Sequence, residues 1–246
     1  MTFDWHIFWQ ALFSQSFVHG AELTIAVAVI SQAVAVVLGL AVAVMRRSAL
    51  PPLRWFAAGY VWLFRAIPTL LQLLFVWNAL PQLIPSLKNP WFTPFLAACV
   101  ALSLNETAYM AEIARAGLAA VDRGQILAGK TLGLSGPQVF RLIVLPQTIR
   151  VIIPPTGNEF ITLLKLTSLA SVISLRELLT VTEQTIAVNF RFAELYSAAA
   201  VWYLAIVSVF MILQSQVEKR YQWASGTRRV RPGVVARVQA IGALNR

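Results

Sequence analysis

Residues 23–45, with the sequence LTIAVAVISQAVAVVLGLAVAVM, decide the fold of this chain. The stretch contains no charged side chain, and its apolar residues are not confined to one stripe. A helix of about 20 apolar residues crosses the roughly 30 Å of hydrocarbon in a bilayer, whereas a surface helix of a soluble protein is apolar along one stripe. The stretch therefore predicts a membrane-spanning helix.

Four further stretches have a comparable length and composition. Three carry no charge and the last is interrupted by Glu159 and Lys165; they are residues 66–87, 89–105, 195–217 and 152–175. The chain as a whole is 58% hydrophobic and 12% charged, against about a quarter charged in soluble domains. We therefore predict an all-α, polytopic membrane protein with five transmembrane helices. A large soluble helical bundle is the alternative.

The basic residues predict the orientation of these helices. Of the 20 Lys and Arg, 15 lie in residues 46–54, in residues 115–150 and after the fifth helix, which are alternate connections along the chain. Because Lys and Arg accumulate in cytoplasmic loops, we expect the N-terminus outside and the C-terminus and residues 115–150 in the cytoplasm.

The two ends of the chain differ in character. Residues 1–19 lack the basic start of a signal peptide, and five aromatic residues stand in residues 1–13, which favours a segment in the membrane interface. The basic tail, residues 221–246, is expected to contact lipid headgroups. No nucleic-acid motif accompanies its charge, so no nucleic-acid partner is predicted. Cys99, the single cysteine, excludes an intrachain disulfide.

Residues 124–131, GQILAGKT, match the G-x-x-x-x-G-K-[ST] pattern of phosphate-binding loops. Such a loop follows a buried strand and opens a helix. No strand-like run precedes Gly124, and residues 115–150 are too few for a nucleotide-binding domain. We therefore predict no nucleotide site at Lys130 and no enzymatic activity. The alternatives are a membrane ATPase that uses Lys130, and a channel or passive scaffold.

Local signals in the same segment predict two short capped helices. Asp122 and Ser135 are each followed three residues later by Gln, which is a capping pattern. Gly133 fits the left-handed position that ends a helix, and Pro146 is expected to break the second helix. A helix–turn–helix between two spans is expected to dock another protein. A simple connector is the alternative.

Several motifs resemble the polar amino-acid permeases of bacterial ABC importers, over residues 18–220. They are Gly20 and Thr24, residues 64–68 (FRAIP), 109–113 (YMAEI), 154–160 (PPTGNEF) and 164–169 (LKLTSL), and the loop pattern Ala128, Gly133, Ile143, Leu145 and Pro146. Three residues depart from the family pattern. Leu127 replaces Glu and Gly129 replaces Ala in the loop, and Leu166 replaces the usual Asp after Lys165.

The resemblance implies a permease subunit of the bacterial inner membrane, with residues 1–19 as a periplasmic or interfacial segment and 20–220 as the transmembrane domain. A separate ABC ATP-binding subunit would bind ATP, a periplasmic solute-binding protein would deliver the amino acid, and a second permease chain, identical or different, would complete the path. This chain would bind no cofactor and no metal itself. The implied coupling residues are Gly124, Gln125, Ala128, Gly129, Lys130, Thr131, Gly133 and Leu134.

Polar residues inside the predicted spans indicate a substrate path, because intramembrane charges usually face protein or water. The candidates are Arg65, Asn105, Glu106, Tyr109, Glu159 and Thr162. Structural ion pairs between helices are the alternative. Pro68 would free one helical carbonyl, which we expect to line a polar cavity. The sequence leaves open which amino acid is carried.

Overall fold

The computed structural model describes residues 3–222, which form eleven α-helices, short π- and 3₁₀-helical segments and no β-strand. The predicted all-α class is confirmed. The helices are α1 (Trp5–Leu12), α2 (Gln15–Arg46), α3 (Pro51–Ala66), α4 (Thr69–Leu74), α5 (Leu80–Leu83), α6 (Pro94–Ala119), α7 (Arg123–Thr131), α8 (Gly136–Val139), α9 (Leu145–Leu166), α10 (Leu178–Asn189) and α11 (Phe192–Gln222). The predicted basic tail lies outside the described residues, except for its first two positions.

Three helices in the described part are long and apolar enough to cross a membrane. They are α2, the continuous helix Gly136–Ile173, and α11 through Tyr221. The pair formed by α3 and Thr69–Leu83 is a fourth candidate, bent by 105° at its break. The helix in place of the third predicted span, α6, falls outside these candidates and carries Asn105 and Glu106 in its middle. A count of five spans therefore stays a prediction.

The prediction that Pro146 breaks the second short helix is wrong. The chain passes from α8 through a π-helical turn, Phe140–Val144, directly into α9. The Leu145 N–H donates to the Phe140 carbonyl five residues back, which defines the π turn. Pro146 then occupies the first turn of α9, directly after the π-helical turn, and has no N–H to donate to the preceding turn.

The centre of the fold is the contact between α2 and α6. Both helices present small residues to each other, so that their backbones approach closely, as is common for helices in membranes. At Gly39 on α2, an added Cβ would lie 2.5 Å from the Cβ of Met110 on α6. Ala108 and Ala111 on α6 are completely buried. This close packing fixes the polar middle of α6 relative to α2.

A buried carboxylate begins α10. Glu177 is 0% exposed and accepts the backbone N–H of Leu179 at 2.9 Å and of Thr180 at 2.8 Å. The Tyr203 hydroxyl on α11 donates to it at 3.0 Å. A carboxylate has enough lone pairs for all these donors, so a single charged side chain caps α10 and ties it to α11.

Gly20 and Thr24 allow α10 to lie directly on α2. The Thr24 hydroxyl donates to the Gly20 carbonyl at 3.1 Å and accepts the Leu178 N–H at 3.3 Å. A Cβ at Gly20 would lie 3.0 Å from the Leu178 Cα, which is backbone and cannot move aside easily. These two residues of the family resemblance therefore have a packing explanation.

Replacing Glu177 by Gln should destabilise the protein. One carboxylate oxygen becomes an NH2 group that meets an N–H donor, and leaving such buried groups unpaired costs about 1–3 kcal/mol. We expect a lower Tm for Glu177→Gln in detergent solution. Glu183→Gln, an exposed change on the same helix, is the control. An equal Tm for both variants would contradict the capping role.

Candidate functional site

The break after α3 frees a carbonyl that two side chains then occupy. Pro68 has no N–H to donate, so the Phe64 carbonyl lacks its helical partner. The Gln72 amide donates to this carbonyl at 2.9 Å and to the Ile67 carbonyl at 2.8 Å. The Asn105 amide on α6 donates to the Phe64 carbonyl at 3.1 Å. We call these contacts the amide clasp.

The amide clasp corrects one expectation. The carbonyl freed by Pro68 does not line a polar cavity, because protein amides already occupy it. The cavity next to the break has a volume of about 390 Å³ and is lined almost entirely by apolar side chains, with Gln72 as its one polar residue. Gln72 itself was not expected from the sequence. The signal that could have found it was a lone Gln four residues after Pro68 in an apolar run.

Four of the six candidate path residues form one group, the Arg65 cluster, which consists of Arg65, Glu106, Tyr109 and Glu159. The Arg65 guanidinium lies 5.4 Å from the centre of the Tyr109 ring, within range of a cation–π interaction. Glu159, half-buried on α9, interacts electrostatically with both Arg65 and Glu106. The cluster thus joins α3, α6 and α9 and contains one positive group and two carboxyl groups.

Glu106 is the most enclosed member of the Arg65 cluster. It is 2% exposed, and its Oε1 has no hydrogen-bond partner in the described part of the chain. Buried carboxyl oxygens are rarely left unpaired, because the lost hydration is not replaced. The arrangement leaves an acceptor available inside the protein, close to the second carboxyl group at Glu159.

The other two candidate path residues have local partners. Asn105 is buried and its amide belongs to the amide clasp. Thr162 is exposed, and its hydroxyl donates to the Asn158 carbonyl of its own helix at 3.1 Å. The structure therefore does not bring Thr162 into the Arg65 cluster through any contact of the described residues.

A polar pocket of about 480 Å³ lies beside the Arg65 cluster. Arg65 and Tyr109 line it together with Arg46 and Glu112, whose side chains are hydrogen-bonded to each other. Arg115 also binds Glu112, at 2.8 Å. Arg46 was counted from the sequence as a loop charge only. It is the last residue of α2, and from there it reaches α6.

The segment that matches a phosphate-binding loop is a helix. Residues 124–131 lie in α7, and Asp122 accepts the Gly124 N–H at its start. The N–H groups of the following turn make helical hydrogen bonds, so they cannot surround a phosphate. Gly133 has φ = 84°, as expected for a helix end, and Ser135 forms a capping box with Gln138.

The candidate coupling residues lie mostly on the outside of α7. Gly129 is buried because α7 packs there on the next helix, and an added Cβ would lie 2.6 Å from the Ile143 Cδ1. Leu134 is half-buried, and the remaining candidates are exposed: Gly124, Gln125, Ala128, Lys130, Thr131 and Gly133. Two exposed apolar residues lie between these candidates in the sequence: Leu127, at 62% exposure, and Leu132, at 83%.

No metal site is apparent in residues 3–222. No three His, Cys, Asp or Glu residues in this part of the chain are grouped so that they could hold a metal ion.

Known transport permeases are similar in sequence to this chain over nearly its whole length. The arginine transport system permease ArgU of Corynebacterium glutamicum is 38% identical over 99% of this chain and 80% of its own length. The glutamine transport system permease GlnP of Escherichia coli is 34% identical over 89% of this chain and 98% of its own.

Two solved structures share the fold. An amino acid ABC transporter crystallised with histidines is similar, with a TM-score of 0.81, 34% identity and coverage of 89% of this chain and 100% of that chain. The MetNI methionine ABC transporter, at 18% identity and a TM-score of 0.67 over 83% of this chain and 95% of its own, shares the fold alone.

The family model of binding-protein-dependent transport system inner membrane components matches residues 35–223. This match covers well over half of the chain, and it agrees with the relatives and with the helical fold. The chain is therefore a transport permease and not an enzyme, and it belongs to the family of binding-protein-dependent transport system inner membrane components.

Proposed function

We propose that this permease forms the path for a polar amino acid in an ATP-driven importer of the bacterial inner membrane. The observation that carries the proposal is the Arg65 cluster, which brings an exposed guanidinium together with a buried carboxyl group, Glu106, and a half-buried one, Glu159. An amino acid carries an ammonium and a carboxylate group, and both need partners when they leave water. Relatives named for arginine and glutamine transport support this substrate class.

The proposed topology has five spans. They are α2, the bent pair of α3 and Thr69–Leu83, α6, α9 and α11. The basic residues support an outside N-terminus and a cytoplasmic C-terminus. We assign residues 1–19 to the outer interface, 20–220 to the permease domain with its coupling loop at 115–150, and 221–246 to a basic tail on the cytoplasmic lipid surface.

Within the path, the two carboxyl groups are proposed to receive the cationic part of the amino acid. Glu106 offers an acceptor oxygen without a partner, and Glu159 is half-buried beside it. Arg65 has the charge that suits the α-carboxylate and an exposed side chain that can reach it. Asn105, Tyr109 and Thr162 complete the proposed lining.

Replacing Glu159 by Gln should lower uptake. The change removes one negative charge from the Arg65 cluster while keeping the side-chain volume, and a hydrogen bond to a charged group is worth about 1.5–3 kcal/mol, or roughly 10- to 150-fold. We expect uptake of radiolabelled arginine by the reconstituted complex to fall by at least about tenfold. Glu183→Gln serves as the matched control. Normal uptake and unchanged preference between arginine and glutamine would remove Glu159 from the path.

The partners follow from the same proposal. A solute-binding protein would deliver the amino acid from outside, a second permease chain would enclose the path, and an ABC ATP-binding subunit would bind ATP in the cytoplasm. Residues 124–134 would dock on that ATP-binding subunit. Closure of the ATP-binding subunits can drive transport only if they contact the two states of the permease differently.

Leu132, which is exposed directly after the end of α7, gives a test of this docking. A charge at Leu132 would have to be desolvated on binding, which is unfavourable without a partner. We expect Leu132→Asp to abolish co-purification of the ATP-binding subunit while the permease still inserts into the membrane. Val188→Asp is the control, because Val188 is also 83% exposed and lies on the proposed outer side. Equal recovery of the subunit with both variants would refute docking at α7.

A further inference from the structure

The side chain of Gln72 is hydrogen-bonded across the break between α3 and α4. We propose that Gln72 is a positioning residue of the transport path, which holds the bend at Pro68 and thereby places the Arg65 guanidinium beside Tyr109 and Glu159. This inference rests on the proposed function, because it assigns Gln72 a role in the path to which Arg65 belongs. It does not require Gln72 to touch the amino acid.

The hydrogen bonds of Gln72 account for a polar residue in an apolar place. Gln72 is 6% exposed, and its Oε1 has no hydrogen-bond partner among the described residues. Burying an unpaired acceptor is unfavourable, so the oxygen does not explain the residue. The amide does: its two hydrogens match the two carbonyls, of Phe64 and Ile67, that it reaches at 2.9 Å and 2.8 Å. An apolar residue here would leave both carbonyls without this donor.

The two bound carbonyls lie on either side of Arg65 in the chain. Phe64 precedes Arg65, and Ile67 follows it by two residues in an extended conformation, with φ = −86° and ψ = 132°. Fixing both carbonyls fixes the peptide planes around Arg65 and therefore the direction of its Cβ. The long Arg side chain is exposed and would otherwise be free to take many rotamers.

Asn105, on α6, provides the third hydrogen bond of the amide clasp. It lies four residues before Tyr109 on α6, so the two side chains share one face of that helix. Its amide holds the Phe64 carbonyl at 3.1 Å, next to the place where Arg65 meets the Tyr109 ring. The amide clasp therefore fixes both the bend itself and the distance between α3 and α6 at the Arg65 cluster.

The bend can be measured directly with a pair of spin labels. Phe56→Cys on α3 and Leu83→Cys at the end of α5 provide exposed attachment sites on the two arms. The natural Cys99 is the only other cysteine and is buried. We expect a narrow distance distribution in the otherwise unchanged protein and a broader or shifted one with Gln72→Met, which keeps the volume and removes both donors.

A matched control separates the amide clasp from a general effect of losing an amide. Gln82 lies on the same bent pair and donates only within its own arm, to the Asn78 carbonyl at 3.2 Å. We expect Gln82→Met to leave the label distances and uptake unchanged. Gln72→Glu, which can donate at most one hydrogen bond, replaces Gln72→Met if the latter does not accumulate in the membrane.

A double-mutant cycle with Arg65 tests whether Gln72 acts through that residue. The readout is uptake of radiolabelled arginine by the complete complex in proteoliposomes, per mole of reconstituted complex. We expect Gln72→Met to reduce uptake about tenfold when Arg65 is present, as for one buried group left unpaired. In the Arg65→Lys background the same change should reduce uptake by less than about twofold, because the two sites are coupled.

Two results would overturn the inference. The first is an unchanged label distance in Gln72→Met, since the bend would then not depend on the amide. The second is a tenfold loss of uptake on Gln72→Met in the Arg65→Lys background as well. Independent sites have additive effects, so this result would mean that Gln72 has a structural role that does not act through Arg65. If the unmodified complex takes up no polar amino acid, the proposed function fails, whereas the label distances still decide whether Gln72 holds the bend.

Discussion

The hydrocarbon core of a bilayer offers no hydrogen-bonding partner, so every backbone N–H and C=O there must be satisfied by the protein. The bend at Pro68 meets that constraint, and two irregular parts outside the hydrocarbon core satisfy or shift their backbone hydrogen bonds in comparable ways. At Pro68 two side-chain amides replace the missing N–H. Before Pro146 a π-helical turn shifts the hydrogen bonds by one residue. At the start of α10 the Glu177 carboxylate accepts the N–H groups that no carbonyl can reach.

The same constraint separates structural polar residues from the candidate path. Glu177 is completely buried but has several donors around it, so its charge is accounted for by the fold. Glu106 is as deeply buried and has an oxygen with no partner. The sequence places Glu177 next to Arg176 between two predicted spans, whereas Glu106 was predicted to lie on the substrate path. Their hydrogen bonds agree with this difference, and we place Glu106 and not Glu177 in the path.

The sequence predicted the helices well where periodicity and caps decide them. Asp122, Gly133 and Ser135 end or begin helices at the expected positions, because their signals act within one turn of the chain. The effect of a proline was harder to predict. Pro146 continues a helix, whereas Pro68 accompanies a bend of 105°, since the outcome depends on partners such as Asn105 that are distant in the sequence. The Arg65 cluster was predicted as separate residues, but its pairing across three helices requires the packing.

The unbroken course from Gly136 to Ile173 has a mechanical consequence. Its 38 residues form one rod of about 57 Å, taking about 1.5 Å per residue. α7 packs on this rod through Gly129 and Ile143, near its start. Glu159 lies farther along the same rod, beyond Pro154 and Pro155, which lie inside α9. A tilt of the rod at Ile143 would therefore reach the carboxyl group through a segment in which two residues have no N–H for a helical hydrogen bond.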